Sequence, residues 1–267
     1  MKYYLRLGMT YWKMHLKKTF MFKQSFIINR IVQALNYFVE FALIWIMVNA
    51  FENMNGWNQY EVMLLYATNI VGYSIAAFFL YRTMLSTSTE VQNGAFDDVL
   101  TKPVRTLPYM CFRNLNPDYI AHVTLAAVMY VVAFSRLGVH IGIAEIAKLL
   151  LAFVCGGLVY GGMFLLAIAP TFILRETRFL RNIIFLLRDM SYYPISVFPL
   201  IIQVIMTLVL PYAVISFFPV QALIGKQDYL FLGRAIIYIA PLIATAFFAV
   251  GLWLFGFCVK RYKSTGS

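Results

Sequence analysis

Apolar residues run along this chain in long, nearly unbroken stretches separated by short polar ones. Runs from about Phe26 to Ala50, Tyr60 to Tyr81, Ile146 to Ile168 and Ala235 to Val259 match the ~20 apolar residues with which a helix crosses a bilayer. A further run from Tyr119 to Phe134 does so if it extends a turn at either end. Residues 1–23 read differently. Leu5, Met9, Trp12 and Leu16 recur at helical spacing beside a stripe of Lys2, Arg6, Lys13 and Lys17, the pattern of a helix lying in the membrane interface. The stretch from Ile168 to Ala235 is irregular. Hydropathy alone places a span over Pro194 to Phe218, yet Pro199, Pro211 and Pro219 punctuate it, and proline inside a helix removes a backbone hydrogen bond and clashes with the preceding turn.

The most informative polar segment is TSTEVQNGAFDDVLTKPV, from Thr87 to Val104. Thr87 with Glu90 three residues on has the form of a capping box, which predicts a short helix starting there. Gly94 is suited to end it in a left-handed conformation, and Asp97 with Asp98 favour the first turn of a second short helix. Phe96, Val99 and Leu100 then form an apolar knob that Pro103 closes. Two readings fit this pattern equally: a knob for a groove in a soluble partner, or a loop helix that packs on its own bundle.

The order Glu90, Val91, Gln92, Gly94, Phe96, Asp97, Leu100, Lys102, Pro103 resembles the cytoplasmic coupling segment of ABC-2-type export permeases, in particular the uncharacterised or drug/viologen-exporter-like subgroup. Tyr193 to Gly225 and the ending Tyr262, Ser264, Gly266 carry the resemblance over nearly the whole chain. It implies an all-α integral membrane protein folded as one domain over 1–267. Six transmembrane helices follow an N-terminal interfacial helix at 1–23. A coupling helix lies at 84–105 between spans 2 and 3, and a re-entrant hairpin on the outer side, at about 197–225, precedes the last span. The fifth span then begins near Phe179 and places Arg188 and Asp189 within or at the edge of the membrane.

The function it implies is the permease subunit of an ATP-driven exporter for a hydrophobic or amphipathic cargo. Two copies of a separate ABC ATPase would bind ATP and Mg, and a second permease, identical or related, would complete the pair. The permease itself would bind no cofactor. Glu90, Gln92, Gly94, Phe96, Asp97, Leu100 and Pro103 would form the ATPase-coupling site.

Composition agrees with the membrane reading: 62% of residues are hydrophobic and 12% charged, against an apolar share of ~45–50% in soluble domains. The net charge of +11 is explained by its placement. With six crossings and both termini inside, Lys and Arg gather before the first span, around the coupling segment, at Arg175, Arg178, Arg181 and Arg188, and after the last span. Only Arg136, Lys148, Lys226 and Arg234 fall outside. The positive-inside rule therefore orients the chain in the cytoplasmic membrane with both ends cytoplasmic, and nucleic-acid binding is set aside. The basic start lacks the apolar core and small-residue cleavage site of a cleaved signal peptide.

No G-x-x-x-x-G-K-[ST] loop is present, and CGGLVYGG, Cys155 to Gly162, lacks the lysine. Gly157 and Gly161 give instead a small-xxx-small spacing for close helix packing, within one subunit or between two. Cys111, Cys155 and Cys258 have no paired spacing, and no histidine has a second ligand at metal-binding distance. Asp118 and His122 share a helix face at the mouth of a span. Gln33, Asn36 and Glu40 form a polar stripe on the first span. Such a stripe either lines a path or interface or locks helices together. Glu40 also supports the alternative function, an ion-gradient-coupled secondary transporter. That alternative expects repeated halves, and the sequence shows none. The chain is not expected to be an enzyme.

Overall fold

The computed structural model describes residues 2–21, 23–50, 55–174, 176–227, 230 and 235–264, and the side chains of only part of residues 2–50. The predicted roles of Gln33 and Glu40, and those of Arg175, Arg234 and Gly266, lie outside the described residues; Asn36 is exposed. Among the described residues the chain is helical, with no strand.

Helix α1 (Lys2–Met21) is followed by α2 (Lys23–Ala50), which contains the first predicted span. Helix α3 (Gln59–Gln92) has 34 residues. At its start Asn58 Oδ1 accepts from the N–H groups of Tyr60 and Glu61, and Glu61 Oε2 accepts from the Asn58 N–H at 2.9 Å. This reciprocal capping box satisfies donors that a helix start otherwise leaves open. At about 1.5 Å per residue α3 is about 51 Å long, whereas the hydrocarbon core of a bilayer is about 30 Å thick. This one helix is therefore long enough to cross the apolar layer and continue well beyond it.

This length corrects the predicted helix start at Thr87. Thr87 lies buried inside α3, and its hydroxyl donates back to Thr83 O at 2.6 Å rather than accepting from an N–H. A Ser/Thr hydroxyl can bond one turn back in this way without ending a helix. Gly94 does end the run, at φ 76°.

After the short helix α4 (Phe96–Leu100) come α5 (Thr106–Arg113), α6 (Ile120–Leu137) and α7 (Ile143–Ile168). The one-turn α8 (Thr171–Leu174), α9 (Arg178–Met190), α10 (Leu200–Val204), α11 (Phe217–Ile224) and α12 (Ala235–Lys260) complete the chain. Four described helical segments are long and apolar enough to cross a membrane: Gln59–Gln92, Pro117–Leu137, Ile143–Leu174 and Ala235–Lys260. Counting the bent pair Leu200–Val209 and Tyr212–Ile224 as one raises the number to five.

Two expectations for the later third are refined. Pro194 to Phe218 is not one helix, because the chain breaks at Leu210 and Pro211 and the two pieces meet at 75°. Nor is the stretch from Phe179 one long helix. Helix α9 has 13 residues, about 20 Å, and ends in a turn at Ser191 because Pro194 cannot continue a helix.

The bundle is built around α3 and α7. They cross where glycine meets glycine: a methyl group on Gly72 would lie 2.9 Å from Gly156 Cα. Gly157 presses on Ile75 of α3, whereas Gly161 and Gly162 press on Phe248 and Phe247 of α12. The CGGLVYGG stretch thus serves two neighbours within the chain, one on each side of α7. Small residues permit such close approach, which drives helix association where lipid is as apolar as the side chains.

Buried polar groups are tied across helices. Tyr160 OH donates to Asn69 Oδ1 at 2.6 Å, Asn69 Nδ2 to Ser191 Oγ at 2.7 Å, and Ser191 Oγ to Arg188 O at 2.6 Å. The Arg188 guanidinium lies 5.1 Å from the Tyr73 ring centre, 5.2 Å from Phe185 and 5.7 Å from Tyr192, and it donates to Asp189 Oδ1 at 2.6 Å. Aromatic faces and a carboxylate together make a half-buried guanidinium tolerable. At the Asn58 end, Lys226 donates to Glu61 Oε2 at 2.6 Å and lies over the buried ring of Trp57.

Candidate functional site

The far end of α3 carries the polar segment singled out in the sequence. The N–H of Asn93 donates to Thr89 O, Gly94 turns the chain with a positive φ, and Asn93 Oδ1 accepts from the Ala95 N–H at 3.1 Å. Asp97 and Asp98 occupy the first turn of α4, where carboxylates favour the free N–H groups. A five-residue helix has too few hydrogen bonds to hold itself. Its stability comes from what it touches.

Phe96 is fully buried, with its ring 4.7 Å from Phe172 and 5.1 Å from Tyr262. Val99 is buried as well. These two therefore do not belong to a surface knob: they anchor α4 on its own bundle. Asp97 Oδ2 accepts from Ser264 Oγ at 2.6 Å. Glu90 is held by Arg113 of α5, whose Nη2 lies 2.5 and 2.6 Å from its two oxygens, with both side chains less than a quarter exposed. Gln92 is exposed and reaches Glu176 Oε2 at 3.3 Å. Gly94 is half-buried, Leu100 is 44% exposed, and Pro103 is exposed.

The surface that α4 offers thus consists of Gln92, Ala95, Asp98, Leu100, Thr101 and Pro103. Lys102 donates to Asp98 Oδ1 at 2.7 Å, and this bond holds the Lys102 ammonium above its ordinary pKa. Beside α4 a cleft of about 200 Å³ is lined by Ser88, Thr89, Gln92, Glu176, Arg178 and Arg181. The Arg178 backbone N–H donates to Glu176 at 2.9 Å and, with Gln92 and the nearby arginines, holds that carboxyl below its usual range. Burial pushes the part-buried Cys111 thiol of α5 up to about 12.

Of the sequence-selected residues, Glu90, Gln92, Gly94, Phe96, Asp97, Leu100 and Pro103 gather at this end, divided between anchors and surface. Asn36 lies on α2, apart from them in the chain. Asp118 pairs with Arg82 at 3.3 Å, and the His122 ring lies 4.9 Å from that of Tyr119 at a tilt of 58°. Sequence reasoning did not find Phe172, Arg113 or Glu176. Their partners lie 76, 23 and 84 residues away respectively, and no local pattern marks them.

A helical bundle with several apolar helices of membrane length defines a multi-pass membrane protein. Within that class, the family model described as ABC-2 family transporter protein matches residues 9–266, and the chain belongs to that family. Its members are transmembrane subunits of ABC systems that work with an ABC ATPase and are not themselves nucleotide-binding domains. No curated protein and no solved structure matches the chain.

Proposed function

We propose that the chain is the membrane-spanning permease subunit of an ATP-driven exporter in the cytoplasmic membrane, with both termini cytoplasmic. Residues 84–105 form its docking segment for a separate ATPase. One observation carries this reading. Helix α3 runs uninterrupted from the Asn58 cap to Gln92 and overshoots the apolar layer. At its end it presents α4, anchored from within by Phe96 and open to a partner through Leu100, Asp98 and Pro103. A push on α4 is thereby a push on the central helix. The basic cleft with Arg178 and Arg181 adjoins this surface and supplies a second contact for an acidic partner segment.

The six-span layout rests on which levels the broken third touches. Gln92 meets Glu176 at the α4 end, Asn69 meets Ser191 at mid-height, and Asn55 Nδ2 donates to Ser196 O near the Asn58 end. This sequence of contacts supports a fifth crossing made of α9 and the turns after it. Tyr212 OH then donates to Ile184 O, back at mid-height, and Lys226 reaches Glu61 at the Asn58 end. A segment that enters and leaves by the same face is a re-entrant hairpin, and broken backbone at that depth is tolerated because protein covers it. With α2 as the first span, the count reaches six. A hydrophobic or amphipathic cargo accords with the open apolar groove of about 440 Å³ lined by Ile75, Phe79, Leu80, Leu158, Leu165 and Phe248. The working unit is a pair of permeases with two ATPase copies, which hold ATP and Mg.

Purification of the tagged chain from its native membrane in mild detergent tests the reading. An ABC ATPase is expected to accompany it and to be lost by at least tenfold on Leu100→Asp, while the melting temperature of the permease stays unchanged. A stable chain that comes out alone would overturn the proposal.

A further inference from the structure

We propose that α12 is the lever that carries motion of α4 into the membrane, with Phe96, Tyr262 and Ser264 as the positioning residues of the joint. The inference rests on the reading of α4 as the ATPase-docking segment, and it names the element on which that segment acts.

Two of the inward anchors of α4 lead to the same place. The Phe96 ring meets Tyr262 edge-on at 5.1 Å, and the neighbouring Asp97 accepts from Ser264 at 2.6 Å. Phe172 fills the corner, 4.7 Å from Phe96 and 5.5 Å from Phe255 of α12. Tyr262 is not on a slack tail: its N–H donates to Val259 O and that of Arg261 to Cys258 O, so the helical turn continues up to the joint. A displacement of α4 therefore reaches α12 through an aromatic contact and a charge-assisted hydrogen bond, both short and directional.

The rest of α12 is less enclosed by the chain than the core helix. The most apolar window of α3 is 83% buried within the chain, whereas that of α12 is 22% buried. Helix α3 is the fixed core, and α12 is a peripheral helix held mainly along α7. That contact pairs Gly251 with Gly162 and seats the Phe247 and Phe248 rings over Gly162 and Gly161, which fixes the register of α12 on α7 and leaves tilting about this contact, not sliding, as its motion. Toward its other end, Pro241 lies inside the helix. Proline removes one rung of the hydrogen-bond ladder and forms a bending point. A driven end, a glycine-seated fulcrum and a hinge thus follow one another along one helix.

The test uses the purified permease–ATPase complex in lipid, with spin labels at exposed Trp253 on α12 and exposed Val131 on α6. Nucleotide trapped in the ATPase is expected to change their separation by about 2 Å, the scale of helix shifts at interfaces. In Tyr262→Ala and in Ser264→Ala the ATPase should remain bound and hydrolyse ATP, while this change is lost or reduced by at least half. Tyr262→Phe, which keeps the ring, should restore it. Because Ser264 is exposed, its variant keeps the test open even if Tyr262→Ala does not fold. An unchanged shift in Ser264→Ala and Tyr262→Ala, or no shift in the wild type while ATP turns over, would overturn the lever. Absence of any ATPase from the complex would remove the underlying docking reading, and the lever with it.

Discussion

Phe96 and Leu100 are both apolar residues of a five-residue helix, and their fates are opposite. Phe96 is enclosed by Phe172 and Tyr262, while Leu100 is 44% exposed. Phe96→Ala should therefore act on folding, costing about 3–5 kcal/mol as for other buried aromatic truncations, and Leu100→Ala should leave the melting temperature nearly unchanged. The glycines divide in the same way. A methyl group on Gly162 would lie 2.6 Å from Phe247 Cδ1, whereas nothing lies within 4 Å of one on Gly256. Gly162→Ala should destabilise by about 1–3 kcal/mol and Gly256→Ala should not, as thermal unfolding in detergent would show. Glu176 has a depressed pKa, so its contribution is complete above the ordinary carboxylate value and is lost as pH falls through the lowered one. Melting curves of wild type and Glu176→Gln should differ at neutral pH and converge in acid.

Elements were legible in the sequence wherever one physical signal dominated. Apolar runs gave α6, α7 and α12 nearly to their ends, and Gly94 and the two aspartates gave the turn into α4. The Thr87–Glu90 pair misled because a capping box is a local pattern, and the same residues are compatible with mid-helix positions when the helix continues. The length of α3 decided between them. The irregular third resisted for another reason. Pro194, Pro199 and Pro211 announce breaks, but the pieces are placed by distant partners such as Asn69 for Ser191 and Ile184 for Tyr212. The burial of Phe96 was likewise settled by residues far along the chain. Asn58 is the clearest element-scale test: Asn58→Ala removes both acceptor bonds at the α3 start and should cost about 0.5–2 kcal/mol, read as a lower melting temperature with the ATPase interaction intact.

For the whole molecule, the account joins a buried core helix, an anchored docking surface and a peripheral lever. A cysteine placed at Asp98 should react with a membrane-impermeant thiol reagent only from the cytoplasmic side, and one at Lys226 only from the opposite side. Both cysteines are placed in a Cys111→Ser background, because the native Cys111 is only part-buried. The central claim is that α4 meets an ATPase through its exposed face while Phe96 holds it from behind. The most direct measurement places a photo-crosslinking amino acid at position 100 or at position 96 and irradiates native membranes. Position 100 is expected to give an adduct with an ABC ATPase, and position 96 none between chains. An adduct from position 96 but not from position 100, or no ATPase adduct from either, would contradict the account.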